Sequence, residues 1–562
     1  MDRKTIVLVA ACVLLLVFWG QILEYTGLVD PPSEQPAVQQ VTPDSMIPAG
    51  TPQPPPPTPG TTTQPTTTAT EPVQAVQEID SLNPEKLISI TTPLYELTFT
   101  THGGGLQKVA LREHFYNGGD KVVMADDPVK VVPDFSAMNG ALQGRQLAFE
   151  CNQADLTLTE GSEPQKLTFT YDNGNGGRIT KTYTINAERY DIDFDLTIDG
   201  IESFGIERAY HLVWGITPAP TQKDVGDDMG YFKAVAFLDG HEEFDDYDNN
   251  VMNEVVTGGT LWAGLRTKYF TSVMIPRTRP ASGLIAAGVK SNVHIGGEAV
   301  EARQITTSLE MPIASQGSVS DSYTLYIGPI DYNFLKKYDN GLEELTSLGW
   351  VIIKPFSIAI IWLLPKIYSV IPNYGIVVLI FAFLIKLITY PLTRKQNLAM
   401  AKMKDLQPKM KAMQEKYKQD PAKLNKEMMK MYKEAGANPL SGCLPLLPQM
   451  PLFFALFTVF RTTIEFRGAS FLGWITDLSV PDPLYILPVL MVVVMFIQQK
   501  MTITDPKQKM MVYIFPIFFG YISISFPAGL VLYWTGFSLL SFLEMMFIRK
   551  KQATVTVVED KK

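Results

Sequence analysis

Between two apolar runs of the chain lies a polar segment, Arg394–Glu434, with twelve lysine and arginine side chains against five acidic ones. Lys and Arg beside the ends of membrane spans resist translocation, so a loop of net charge +7 stays cytoplasmic. The rest of the chain can be oriented from it. The apolar run before it, Val377–Leu392, contains Lys386. Pro445, Pro448 and Pro451 form a proline ladder that closes the loop region and opens the next apolar run.

The formal charge of −9 hides an asymmetry: residues 5–345 carry a net −23, and the remainder +14. An acidic block joined to a basic, apolar one is the pattern of an exported domain on a membrane module. Nucleic-acid binding would need a basic excess on the soluble part, and that part is acidic. The three cysteines, Cys12, Cys151 and Cys443, are far apart and give no disulfide framework or metal spacing.

Residues 1–25 read as a transmembrane anchor: Asp2-Arg3-Lys4 precedes the uncharged run Thr5–Leu23. A cleaved signal peptide would need a small-residue cleavage site, and none follows Trp19. Residues 26–84 are Pro/Thr-rich, including Pro54–Pro57 and Thr61–Thr63, and read as an extended, disordered linker.

Residues 85–335 read as an all-β domain. Leu94–Thr100, Leu167–Tyr171 and Lys181–Ile185 are rich in β-formers and separated by turns such as Asn173–Gly177. Tyr190–Asp199 alternates strictly, with Asp191, Asp193, Asp195 and Asp199 on one face and Ile192, Phe194, Leu196 and Ile198 on the other. A calcium site fails there, because Leu196 stands where the loop needs glycine and a strand is the wrong backbone. The row is therefore expected to be a solvated face, as is the acidic stretch Glu242–Asp248. His102, His114, His211, His241 and His294 show no ligand spacing, so no metal is expected.

Residues 336–368, with Trp350, Lys354, Trp362 and Lys366 near apolar positions, suit an amphipathic helix lying in the interface. Five spans follow, near 373–392, 444–461, 483–498, 510–525 and 527–548. With the anchor they place both termini in the cytoplasm and residues about 25–350 outside. The third and fourth hold about 15–16 residues, roughly 22–24 Å against ~30 Å of hydrocarbon, and imply local thinning. Residues 551–562 form a cytoplasmic tail.

Lys386 is the sharpest single feature, since a cation at membrane depth is costly unless it meets water or a partner. Two readings stand. Its stem can snorkel to the inner interface, or it can face a wet cavity with Gln449, Thr458, Tyr533, Thr535, Ser538, Ser541 and Glu544. Glu544 lies near the basic tail and is assigned there, which leaves Lys386 without an evident acidic partner. The prolines of the ladder either start a span or free carbonyls toward a hydrated groove. The basic loop reads as a helical hairpin, Asn397–Gln419 kinked at Pro408 and Ala422–Glu434. Met400, Met403, Met410, Met413, Met428 and Met429 either pack its two helices or present an adaptable apolar surface. No phosphate-binding loop, nucleophile elbow or zinc motif occurs, so neither an enzyme nor a cofactor is expected.

Tyr390–Thr393, Met403–Pro408, Glu427–Met429, Asn438–Pro451, Asp482–Pro488 and Phe526–Trp534 resemble, in order, the motifs of the YidC/Oxa/Alb family of membrane protein insertases. The resemblance implies a Gram-negative-type multi-domain membrane protein of the inner membrane. Its parts would be an N-terminal anchor helix, a periplasmic β-supersandwich and an α-helical five-span core (369–550) with the cytoplasmic hairpin 397–434. It further implies a hydrophilic groove open to cytoplasm and lipid, where Lys386 receives a substrate's polar segment beside Gln449, Thr458, Tyr533, Trp534, Thr535 and Ser538. The implied partners are nascent membrane proteins, ribosome and targeting factors on the cytoplasmic side, Sec translocon components and membrane lipids. Many relatives carry arginine where Lys386 stands; lysine keeps the charge and loses the planar fork. The short basic tail differs from the long ribosome-binding tails of some relatives. Two other functions stand beside this one. A secondary transporter using Lys386 would need repeats or a broken helix, and a membrane-anchored glycan-binding or glycan-processing protein would need activity in the β domain.

Overall fold

A computed structural model describes residues 84–116, 119–126, 132–137, 143–206, 208–215, 220–238, 240–295, 298–313, 317–435, 446–502 and 509–559. The expected anchor and the linker up to residue 83 lie outside these, as does Pro445 of the ladder. The chain divides into two units, one containing Asp405–Ala437 and the other containing Gln77–Lys404 and Asn438–Lys562.

Strand Asp191–Asp199 shows how the β region is built. Ile192, Phe194, Leu196 and Ile198 are buried, and Phe194 stacks on Tyr183 of the next strand at 4.9 Å. The opposite face is only partly the solvated row expected. Asp193 pairs with Arg277 at 3.0 Å and Asp195 accepts from Ser322. Asp191 is buried, bound by Arg189 and by the Tyr338 hydroxyl, because the chain beyond the last strand folds back over that end. Glu242–Asp248 likewise begins as strand His241–Phe244, with Glu243 paired to Arg266 at 2.8 Å and Asp245 to Arg303 at 2.8 Å.

Asp191–Asp199 lies within an eight-stranded sheet ordered His241–Phe244, Lys233–Phe237, Trp262–Arg266, Phe270–Pro276, Ser318–Pro329, Asp191–Asp199, Arg178–Ile185, Gln165–Asp172. Every neighbouring pair in it is antiparallel. One five-stranded sheet pairs the long hairpin Ala281–Ile295/Glu298–Pro312 with Val251–Thr260, Ala209–Trp214 and Asp134–Ala137. Another is built around Tyr95–Thr100 and Gly105–Tyr116. The main apolar core, including Phe99, Phe169, Tyr183, Trp214 and Tyr323, draws residues from all three sheets, and a second cluster packs Val235, Trp262 and Tyr326 under Leu335, Leu342 and Leu345.

The sequence pattern predicts helix from residue 336, but regular helix begins only at Lys354 and ends at Tyr368. Lys336–Tyr338 and Leu342–Leu345 are single 3-10 turns. Asp339, Gly341 and Gly349 have φ of 51°, 82° and 80°, left-handed conformations that stop a right-handed helix. Lys366 caps the ring of exposed Trp362 at 3.4 Å.

Four further helices of the same unit follow: Tyr374–Asp405 (its last residue at the unit boundary), Leu446–Thr462, Ile486–Thr502 and Lys509–Ser523; a fifth, Ala528–Glu559, extends through most of the expected tail. Tyr374–Pro391 and Ala528–Phe547 are long and apolar enough to cross a membrane; Ile486–Met501 and Val512–Ser523 are shorter apolar helices. Val377, Val378, Phe381, Leu456, Val459, Phe460, Met491 and Leu530–Tyr533 form their common core. Toward the β region, Arg461 meets Asp227 at 2.8 Å, and Lys268 meets the same carboxylate at 2.7 Å. Arg467 donates to the carbonyls of Thr221 and Phe115.

In the other unit, Gln407–Lys416 and Pro421–Glu434 form the hairpin. The kink expected at Pro408 is instead a break at Leu406. Pro408 sits in the first turn of a new helix, where its missing N–H costs nothing. Asp420 caps the second helix by accepting from the Lys423 N–H at 3.0 Å.

Candidate functional site: a buried lysine–glutamate pair

Lys386 lies in the helix Tyr374–Asp405, and its setting follows from the packing of that helix against Ala528–Glu559. On Ala528–Glu559, Tyr533, Phe537, Ser541 and Glu544 recur at spacings of four, four and three, which puts them on one face. On Tyr374–Asp405, Phe381, Ala382, Lys386 and Thr393 face them. The helices approach closely at Gly536, where a Cβ would lie 2.9 Å from a methyl of Leu379. The Phe381 and Tyr533 rings lie 5.9 Å apart.

One to two turns farther along, the Lys386 ammonium donates to Ser541 Oγ at 2.9 Å and lies 2.7 Å from Glu544 Oε2. It also sits over the Phe537 ring at 5.2 Å. Lys386 is 8 % exposed, so the amine is turned into the helix interface and not out along it. Thr393 Oγ1 stands 3.5 Å from the other carboxylate oxygen. Assigning Glu544 to the basic tail is therefore corrected: it is the partner of Lys386. The spacing from Tyr533 to Glu544 could have found it, since it shares a helical face with three residues already at membrane depth.

The other candidates separate. Tyr533 is buried, and its hydroxyl has no hydrogen-bond partner. Trp534 points elsewhere, into an aromatic cluster with Phe453 at 5.2 Å and Phe519 at 5.0 Å. Thr535 is buried and donates to its own helix at the Val531 carbonyl. Ser538 is buried as well. Thr458 lies beside Gly349, near Ile353, away from Lys386. Gln449 is half-buried in the first turn of Leu446–Thr462. In the hairpin, Met410 is buried and accepts from the Tyr432 hydroxyl at 3.5 Å, as packing requires. Met413 and Met428 are half-buried and Met429 is exposed. The side chains of Met400 and Met403 lie outside the described residues.

Two family models match in tandem: the YidC periplasmic domain over residues 87–361 and the 60Kd inner membrane protein over residues 366–555. The membrane protein insertase YidC of Prosthecochloris aestuarii is 33% identical over 99% of this chain and 96% of its own length. The chain belongs to the YidC family of membrane protein insertases. That of Chlorobaculum tepidum is also 33% identical, over 99% of this chain and 95% of its own. A crystal structure of an active YidC insertase with its first transmembrane domain resolved covers 83% of this chain and 94% of its own, at 19% identity and a TM-score of 0.38. Like other YidC proteins, this chain is an insertase of the inner membrane with a periplasmic β-rich domain and a helical C-terminal region. Nascent membrane proteins are its substrates. Membership favours neither the transporter nor the glycan-processing alternative, and the chain is not an enzyme.

Proposed function

We propose that insertion takes place in a groove between the helices that carry Lys386 and Glu544, with Tyr374–Asp405, Leu446–Thr462, Ile486–Thr502, Lys509–Ser523 and Ala528–Glu559 as five membrane crossings around it. The carrying observation is the ion pair itself. Two charges lie buried between the two helices long enough to span the bilayer. Charges at that depth are costly, and they face cavities or partners where they occur. Ile486–Thr502 has 17 residues, about 25 Å at ~1.5 Å each against ~30 Å of hydrocarbon. Thinning of this size shortens the path a polar segment must cross.

In this reading the N-terminal anchor and the C-terminus place both ends in the cytoplasm. The β domain stands outside, and Lys354–Tyr368 lies in the outer interface. The basic hairpin meets ribosome, targeting factors, anionic lipid and substrate before the groove does; Sec components are partners in the membrane. Energy comes from substrate burial in lipid, the membrane potential or partners. A photo-crosslinking residue at Phe537 or Thr393 is expected to capture a stalled nascent membrane protein, while one at Val459 in the packed core is not. Absence of adducts at both Phe537 and Thr393 would reject the groove.

A further inference from the structure

Resting on the groove reading, we infer that Glu544 is the resident occupant of the Lys386 site, and that the pair takes up charged substrate side chains of either sign by partner exchange. Lys386 is not an open cation waiting for a carboxylate. Its ammonium is already held by Glu544 at 2.7 Å and Ser541 at 2.9 Å. An acidic side chain of the nascent chain reaches Lys386 only by replacing Glu544.

The surroundings suit an exchange. Ser541 donates its own proton to the Phe537 carbonyl at 2.8 Å, so its remaining lone pairs serve the ammonium and cannot donate to a carboxylate. Glu544 has a hydroxyl within reach, Thr393 Oγ1 at 3.5 Å from Oε1. The buried Tyr533 hydroxyl, on the same face, has no partner and can bond an incoming polar group. In the exchanged state the charge that receives the substrate group is paired and the displaced one keeps a polar contact, Glu544 with Thr393 Oγ1 or Lys386 with Ser541 Oγ, whereas deleting one partner with no substrate bound leaves the other charge uncompensated. The same logic runs in reverse: a substrate lysine or arginine can take Glu544 while Lys386 keeps Ser541 and the Phe537 ring. The site is thus amphoteric, and Glu544 sets its preference between signs.

The test uses full-length protein at matched, limiting membrane levels and one single-span reporter with an acidic, a neutral or a basic translocated tail. Glu544→Gln removes the competitor and the base acceptor together. It is expected to raise the initial insertion rate of the acidic tail and lower that of the basic tail, each by about tenfold, the scale of one charge-assisted hydrogen bond. Rates like wild type for either charged tail, or an equal slowing of all three, overturn the inference. Lys386→Gln separates it from its premise: no change on any tail rejects the groove reading. Suppression of the acidic tail alone, with Glu544→Gln like wild type, rejects only the exchange. If Glu544→Gln does not accumulate, the swap Lys386→Glu with Glu544→Lys decides. It should insert acidic and basic tails within about threefold of wild type, the scatter expected of a pair moved as a unit. Loss of either tail, or failure of the swap to accumulate, makes the pair a structural staple and overturns the proposal.

Discussion

The β region and the helical region each bury a lysine, and they satisfy it differently. Lys181, fully buried, donates to the carbonyls of Gly103 at 2.7 Å and Pro133 at 3.1 Å, with the Phe135 and Phe149 rings on its flanks. It forms no ion pair among the described residues. Lys386 is held by two side chains, Ser541 and Glu544. Backbone carbonyls fixed just ahead of the strands Gly105–Tyr116 and Asp134–Ala137 cannot leave, whereas a carboxylate on a rotatable stem can. One lysine is a permanent strut; the other sits in a site whose partner is replaceable.

Truncating both lysines to alanine tests this contrast most strongly. Lys181→Ala leaves two carbonyls unpaired and a cavity, at a cost of about 3–5 kcal/mol. The urea midpoint for protease resistance of the β domain, within the full-length protein, should fall accordingly. Lys386→Ala should leave that midpoint unchanged and depress insertion of acidic-tailed substrates. A shared fall in β-domain resistance would erase the contrast.

Replacement by arginine sharpens it. Lys386→Arg keeps a cation for Glu544 and adds a bidentate fork, so insertion should stay near wild type. The cage around Lys181 fits an ammonium between two rings, so Lys181→Arg overpacks it and costs about 1–3 kcal/mol in the same protease assay. Equal tolerance at both positions would mean the cage is looser than its geometry.

The contrast also has a pH dependence. Burial, partly offset by nearby Asp134, pulls the Lys181 amine down from 10.5 to about 8. Between those values the unfolded chain binds the proton and the folded one does not, so this component of stability rises as pH increases from about 8 to 10.5. The difference in midpoint between wild type and Lys181→Met should widen with pH over that window. A constant difference would show that Lys181 keeps its proton when folded.

Much of this was legible in the residues. Strict alternation in Asp191–Asp199 gave the strand and its buried face, because a pleated strand points successive side chains to opposite sides. The apolar runs located the long helices, and the basic loop between them was evident from charge alone. Pro408 marked a helix discontinuity, but a proline fits both a kink and a first turn, and only the backbone on either side distinguishes them.

Composition and periodicity determined that an acidic β-rich domain is joined to a basic, apolar helical region, and that Lys386 stands within an apolar run. Those are properties of single segments, written in local spacing. Tertiary structure alone decided that Glu544 meets Lys386, that Trp534 and Thr458 turn elsewhere, and that Asp191 lies under Tyr338. Each depends on the axial offset between elements distant in sequence, and that offset is set by close approaches such as Gly536 against Leu379, which no single helix encodes.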